Sequence, residues 1–430
     1  MGKFLLVAIL HILLLTQLRF IAWPENLVWP YLQNHGLHYY KNIFLIYPPL
    51  YWWLLSSFYA LFNLSLQNLV IFSYLIICLS DWLLWKAAKE KIVPLLIYVP
   101  LQIFFEGNGV WVDHLLVPLF LASYIFSMRK KYFLTGLFMG LALLTKQTAV
   151  YFILAHGVIL FLSRNKTILL KTLGGMSLPL FFTLVYFLHT NSLHPFLSQA
   201  VIYILTFHVK HPLQSQLPQP VQIIVTLLVF APALATDLFK KRADLTIITI
   251  AAALGVFTRF EYFHLQPALP FVALLLSLSP INFPVLIFIV VVFGKFLFSS
   301  WHQNPRFLDS TTLGNAKIIG MIIRPQNKTL FINTWDHYYF LTQTLPIGYW
   351  YVSGTPWTMD FDGNIDRLLQ NLAQNWPVYI VYNPCFRIKN LCYRPAKLER
   401  AVEENYILQL ELSDGTGIFK YDPMRVSQKR

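Results

Sequence analysis

A dozen apolar segments separated by short polar turns constrain this chain more than any single motif in it. They lie near 4 to 22, 46 to 64, 67 to 85, 92 to 105, 112 to 127, 132 to 145, 148 to 163, 168 to 189, 221 to 238, 243 to 258, 265 to 280 and 283 to 300. A helix needs roughly 20 such residues to cross a bilayer upright, so several segments are short and their ends are soft. With 57% hydrophobic and 12% charged residues over 430 positions, the chain reads as an integral membrane protein. The opening MGKFLLVAILHILLL resembles a signal peptide, but the apolar run continues to Ala22 without a small-residue cleavage pattern, so a retained span is expected.

The formal net charge of +14 does not point to nucleic acid. Basic residues come in short clusters between apolar runs, at Lys86 to Lys91, Arg129 to Lys131, Arg164 to Lys171 and Lys240 to Arg242, which is the pattern of cytoplasmic loops. The apices between them, 106 to 113, 146 to 147, 190 to 220 and 259 to 264, then face outward together with everything after Ser300. One segment has to break this alternation. The stretch 46 to 64 opens with Tyr47, Pro48 and Pro49 and is interrupted by Asn63, so it is expected to lie in the outer leaflet or re-enter it, leaving about 11 crossings. Two full crossings with the Lys86 cluster outside are the alternative.

Residues 1–300 thus form a transmembrane module and 301–430 an extracytoplasmic α/β domain, where charges return and the pattern alternates. Strands are predicted at Thr329 to Asn333, Val378 to Tyr382, Tyr406 to Leu412 and Gly417 to Tyr421, the last two as a hairpin around Asp414-Gly415. Helices are predicted near Ala316 to Ile323, Ile365 to Gln374 and Pro395 to Glu404. Cys78 falls in a span as a packing residue. Cys385 and Cys392, with six residues between them, could pair in an oxidising compartment, but spacing alone does not decide it.

The outward apices share a chemistry. The stretch Trp23 to Tyr51 brings Glu25, His35, His38 and Lys41 to the water–lipid boundary among many aromatic rings; later apices add Glu106 and Asp113, then Lys146 and Gln147, then His189, His194, His208, Lys210 and His211, then Arg259, Glu261 and His264. Charges beside apolar segments are costly, roughly 2.5–3.5 kcal/mol at a span centre, so their collection at one set of ends suggests a common polar cavity. Each has a plainer reading as well. Lys146 could be an interfacial anchor, Asp113 an acid at a helix start worth about 0.3–1 kcal/mol, and Arg259 an exposed partner of Glu261 worth under about 1 kcal/mol. Glu106 with Asp113 could hold a divalent cation, though no motif requires one.

Five features in order resemble the GT-C membrane glycosyltransferases, closest to the protein O-mannosyltransferase-like group that includes the lipid A aminoarabinose transferases. They are Pro24-Glu25 after the first span, Tyr47-Pro48-Pro49-Leu50 opening the next segment, Asp113 before a later span, Gly140 to Lys146, and Arg259 to His264 before another. The resemblance implies sugar transfer from a polyprenyl or dolichyl phosphate donor, on the non-cytoplasmic face and in the plasma membrane, to an acceptor it does not name. It further implies Glu25 as catalytic base, Asp113 as a second acid and Lys146 as a contact to the carrier phosphate. Many members carry Asp-Glu after the proline, where this chain has Glu25-Asn26. The chemistry of such a transfer adds Arg259 and His264 as cationic stabilisers of the leaving phosphate, with Lys41, Glu106, Tyr47 and Gln147 as further substrate contacts. The rival class is a transporter or flippase of lipid-linked saccharides, but such proteins commonly show repeats and midplane charges, and the strong charges here cluster at the outer ends.

Overall fold

A computed structural model describes residues 1–162, 165–213, 217–240, 242–257, 259–278, 294, 300–301, 303–335, 337–348, 356–388 and 391–424. The apolar segments become helices α1 (Gly2–Gln17), α3 (Leu50–Phe62), α4 (Leu66–Ala87), α5 (Val93–Phe104), α6 (Val112–Met128), α7 (Tyr132–Leu143), α8 (Ala149–Leu162) and α9 (Lys166–His189). A short helix α2 (Glu25–Asn34) lies between the first two. Beyond α9 follow α10 (Leu193–Leu197), α11 (Tyr203–Thr206), α12 (Pro220–Lys240), α13 (Ala243–Ala253) and α14 (Leu269–Leu276). The segment predicted at 283 to 300 lies outside the described residues, apart from 294 and 300.

Among the described residues, α4 and α9 are long and apolar enough to cross a bilayer by themselves. In its most apolar window α4 is 50% buried, but α9 only 17%, so α9 turns large side chains such as Phe181, Phe182 and Leu188 outward. That exposure suits hydrocarbon and not water. Helix α3 has 13 residues and, at 1.5 Å per residue, reaches about 20 Å, short of the roughly 30 Å of a bilayer core.

Helix α1 ends earlier than its apolar run. The Asn108 amide donates to the carbonyls of Leu15, Leu18 and Arg19, and Leu18–Ala22 continues extended, with Arg19 N–H on Ser300 O, Ile21 N–H on Asn108 O and Ala22 N–H on Arg306 O. Asn108 takes up carbonyls that a helix end leaves unsatisfied and fixes the approach to Glu25.

Asp81, whose place near the basic cluster at Lys86 to Lys91 leads one to expect a boundary residue, is instead fully buried inside the helix bundle and bonded to His11 Nδ1 at 2.9 Å. His11 Nε2 meets Gln102 Oε1 at 2.9 Å, while Gln102 Nε2 donates to Gly107 O. Both ring nitrogens therefore face acceptors, an arrangement satisfied by an imidazolium paired with the Asp81 carboxylate. Gln266 then donates to the carbonyls of Gln102 and Phe105. This buried polar chain ties α1, α4 and α5 to the turns that precede Asp113 and follow His264.

Helices α7 and α9 approach with their backbones nearly in contact. A Cβ placed on Gly136 would lie 1.8 Å from Thr172 O, and one on Gly175 would lie 1.9 Å from Phe133 O. Small residues at a helix interface permit such an approach in apolar surroundings.

The part after Ser300 forms a five-stranded sheet of order β2-β1-β3-β7-β6, from β1 (Lys328–Ile332), β2 (Leu345–Pro346), β3 (Tyr379–Tyr382), β6 (Tyr406–Glu411) and β7 (Gly417–Tyr421). The predicted hairpin is present, with Gly415 at φ +80° in its turn. Strand β1 runs parallel to both β2 and β3. Helices Ser310–Ile322, Asn364–Gln374 and Ala396–Asn405 match the three predicted ones. A small ribbon, β4 (Phe386–Ile388) with β5 (Leu391–Tyr393), is spanned by a Cys385–Cys392 disulfide. Aromatic contacts join the sheet side to the helices: Phe361 packs against Phe44 and Tyr203, and Trp357 stacks on His211.

Candidate active site

Pro24 caps α2 and leaves Glu25 as the acid of its first turn, where the helix dipole favours negative charge. The helix buries Glu25 to 7% exposure, and its Oε2 accepts no hydrogen bond within the protein. Burial pushes its carboxyl up to about 7, against the pull of its own amide and of Arg259.

On the facing side, α6 begins with a turn held by the Trp111 N–H on His114 Nδ1 at 3.1 Å, which brings Asp113 inward. Helix α7 ends with Thr145 Oγ1 on Leu141 O, and Lys146 follows in the turn to α8. Lys146 Nζ reaches Asp113 Oδ1 and Oδ2 at 2.7 and 2.8 Å. His264, on a 3₁₀ turn before α14, places Nδ1 2.9 Å from Asp113 Oδ2 and 2.9 Å from Lys146 Nζ. With a cation already on Asp113, burial and the neighbouring Lys146 hold the His264 imidazole below its ordinary pKa and neutral. Burial also lowers Lys146, against the opposing pull of Asp113.

These groups meet in one cavity of about 440 Å³, lined by Glu25, Tyr47, Lys146, Gln147, Arg259 and His264 among others. Asp113 sits behind the wall and holds the Lys146 ammonium. Lys146 is thus no interfacial anchor: its head is buried and ligated. Gln147 lines the cavity with its amide already donated to Ile46 O and Ala200 O, both at 2.7 Å, so it braces the wall. Tyr47 packs edge-on against Trp111, and burial raises its phenol above the ordinary range. Arg259 pairs with Glu261 at 3.4 Å, both partly exposed, and its Nε is buried without a partner.

Two residues expected here are elsewhere. Lys41 is exposed on a separate groove beside His38 and His189, because Tyr40 in the left-handed region (φ 65°) turns the chain away. Glu106, itself left-handed at φ 59°, meets Arg306 at 3.5 Å and does not line the cavity. Asp113 is bonded to Lys146 and His264, and among the described residues no cluster of three or more His, Cys, Asp or Glu side chains could hold a metal.

His208, from the outward apex 190 to 220, also lines the cavity, and so does Trp335, which sequence reasoning missed. His208 is pushed down to about 3 by burial and then by Arg259 and Lys146, so it enters the cavity as a neutral imidazole. Trp335 comes from the sheet side, next to Phe307, which in turn packs on Trp23. Only the outward apex placed His208 near the others, and nothing local pointed to Trp335.

No family model matches the sequence, and no curated protein matches it either. Among solved structures, ArnT from Cupriavidus metallidurans in the apo state superposes over 98% of both chains, with a TM-score of 0.65 and 12% sequence identity. This chain shares the fold of ArnT. The likeness runs over nearly the whole of both chains, at an identity that speaks for the fold alone. A second crystal structure of ArnT from the same organism, bound to undecaprenyl phosphate, gives 13% identity over the same 98% of both chains at a TM-score of 0.48.

Proposed function

We propose that this chain is a membrane glycosyltransferase that moves a sugar from a polyprenyl phosphate-linked donor to an acceptor hydroxyl, with Glu25 as the base. One observation carries the reading: a carboxylate with an uncommitted oxygen shares a cavity with Lys146, Arg259 and neutral His264. Glu25 takes the proton of the acceptor hydroxyl as that oxygen bonds to the anomeric carbon. The bond from that carbon to the phosphate oxygen breaks on the opposite side, its electrons leave with the phosphate, and the configuration inverts. Lys146 and Arg259 offset the charge gained by the leaving phosphate in a site poor in water. Asp113 positions Lys146 and holds His264 in place.

A pKa near 7 suits Glu25 to this task, since the group is substantially ionised at neutral pH and still basic enough to accept a proton. The active site is assigned to the non-cytoplasmic face because the basic loop clusters lie at the other helix ends.

Mass spectrometry of the lipid-linked sugars that accumulate when the protein is removed identifies the donor. With that donor, Glu25→Gln should reduce transfer by at least about 1,000-fold while donor binding persists; turnover within a factor of ten of the wild type rejects Glu25 as base. Arg259→Gln is the cleaner probe of phosphate contact, because Lys146→Ala would strand the buried Asp113 carboxylate and unfold the site.

A further inference from the structure

The geometry points to a second binding site: a groove between α3 and α9 that takes a membrane phospholipid with an anionic headgroup. Two hollows of about 460 and 310 Å³ join along Gln33, Trp53 and Tyr186. The first is a lipid-side slot, walled by Ala60 and Phe182, with Phe182 63% exposed. The second opens at the His189 end of α9, where Lys41, His38 and His189 form a rim. Among the described residues neither hollow is lined by an aspartate or glutamate, so Lys41 meets no carboxylate in the groove wall.

The floor fits an amphiphile. Trp53 and Tyr186 meet edge to face at 5.1 Å, giving the amphipathic ring pair that favours the headgroup level of a bilayer. Gln33, at the junction of the hollows, has a buried Oε1 with no hydrogen-bond partner, an acceptor placed for a glycerol or headgroup hydroxyl. An acyl chain lies along Phe182 and Ala60, and the phosphate rests against Lys41. The groove shares no lining residue with the cavity of Glu25.

The test uses the full chain purified in a neutral detergent, with phosphatidylglycerol, phosphatidylcholine or inorganic phosphate added, read by native mass spectrometry and thermal unfolding. Phosphatidylglycerol should be retained and raise the melting temperature, and phosphatidylcholine should do neither. Lys41→Gln should weaken retention about fivefold, the loss of one interfacial cation. Ser57→Trp, on an exposed position of the slot, should abolish retention with lipid-free unfolding unchanged. Equal retention of both lipids, indifference to both substitutions, or displacement of phosphatidylglycerol by millimolar phosphate would each overturn the proposal, the last by showing a free-anion site. A Ser57→Trp chain that unfolds early leaves Lys41→Gln to decide.

Discussion

Glu25 carries a proton economy that two measurements can read. Its carboxyl is raised from 4.5 to about 7 by burial, so the folded chain keeps a proton that the unfolded chain releases. Between those values the folded state binds more protons; the associated stability is complete below 4.5 and is lost as pH rises through 7. Glu25→Gln has no such proton to lose. Its melting temperature should exceed that of the wild type near pH 8 and converge on it towards pH 4, the gap corresponding to at most about 3 kcal/mol. Transfer runs the other way: the rate should rise about tenfold per pH unit on the acid side and level off above about pH 7, the range in which the base is ionised. A flat pH–rate profile from about pH 5 to 8 would detach the rate from Glu25. The residue itself was legible as an acid at the exit of the first span. Its burial was not, because Trp111, which lines the cavity with it, comes from a distant segment of the chain.

Where α7 packs against α9, a pair of adjacent glycines gives a built-in control. Gly175 faces Phe133 O, whereas a Cβ on Gly174 would meet nothing within 4 Å. Gly175→Ala should therefore cost about 1–3 kcal/mol by overpacking, seen as a lower melting temperature and reduced folded yield. Gly174→Ala should be neutral or slightly stabilising, since alanine is the better helix former. Equal behaviour of the two would mean that the helices do not touch as described. Helix positions were readable from the apolar runs, because a span is a local property of some 20 residues. Which polar groups inside them would meet was unreadable: His11, Asp81 and Gln102 become partners only through the packing of three helices. The Asp113–Lys146–His264 cluster was half legible, its members found by their shared apex face but not their mutual bonds.

At the level of the whole molecule, the sheet-bearing part closes the cavity. Trp335 contributes to its wall, backed by Phe307 and Phe386. Trp335→Ala should admit water and loosen the acceptor, raising its KM about five- to tenfold and increasing the share of donor hydrolysed to free sugar. A variant with unchanged partition between transfer and hydrolysis would make this wall a spectator. The strands β1, β3, β6 and β7 were visible as alternating runs, and the β6–β7 hairpin followed from Asp414-Gly415. The parallel pairing of β1 with β3 was not visible, because its register is set across some fifty residues and leaves no local mark.

The His11–Asp81 pair also dictates how the chain can be made. His11 emerges from the ribosome 70 residues before Asp81 and 91 before Gln102. During that interval an imidazole destined for the dry interior has no counter-charge, and hydrocarbon would reject it in its charged form. The opening helix therefore gains its buried partners only once α4 and α5 have been made.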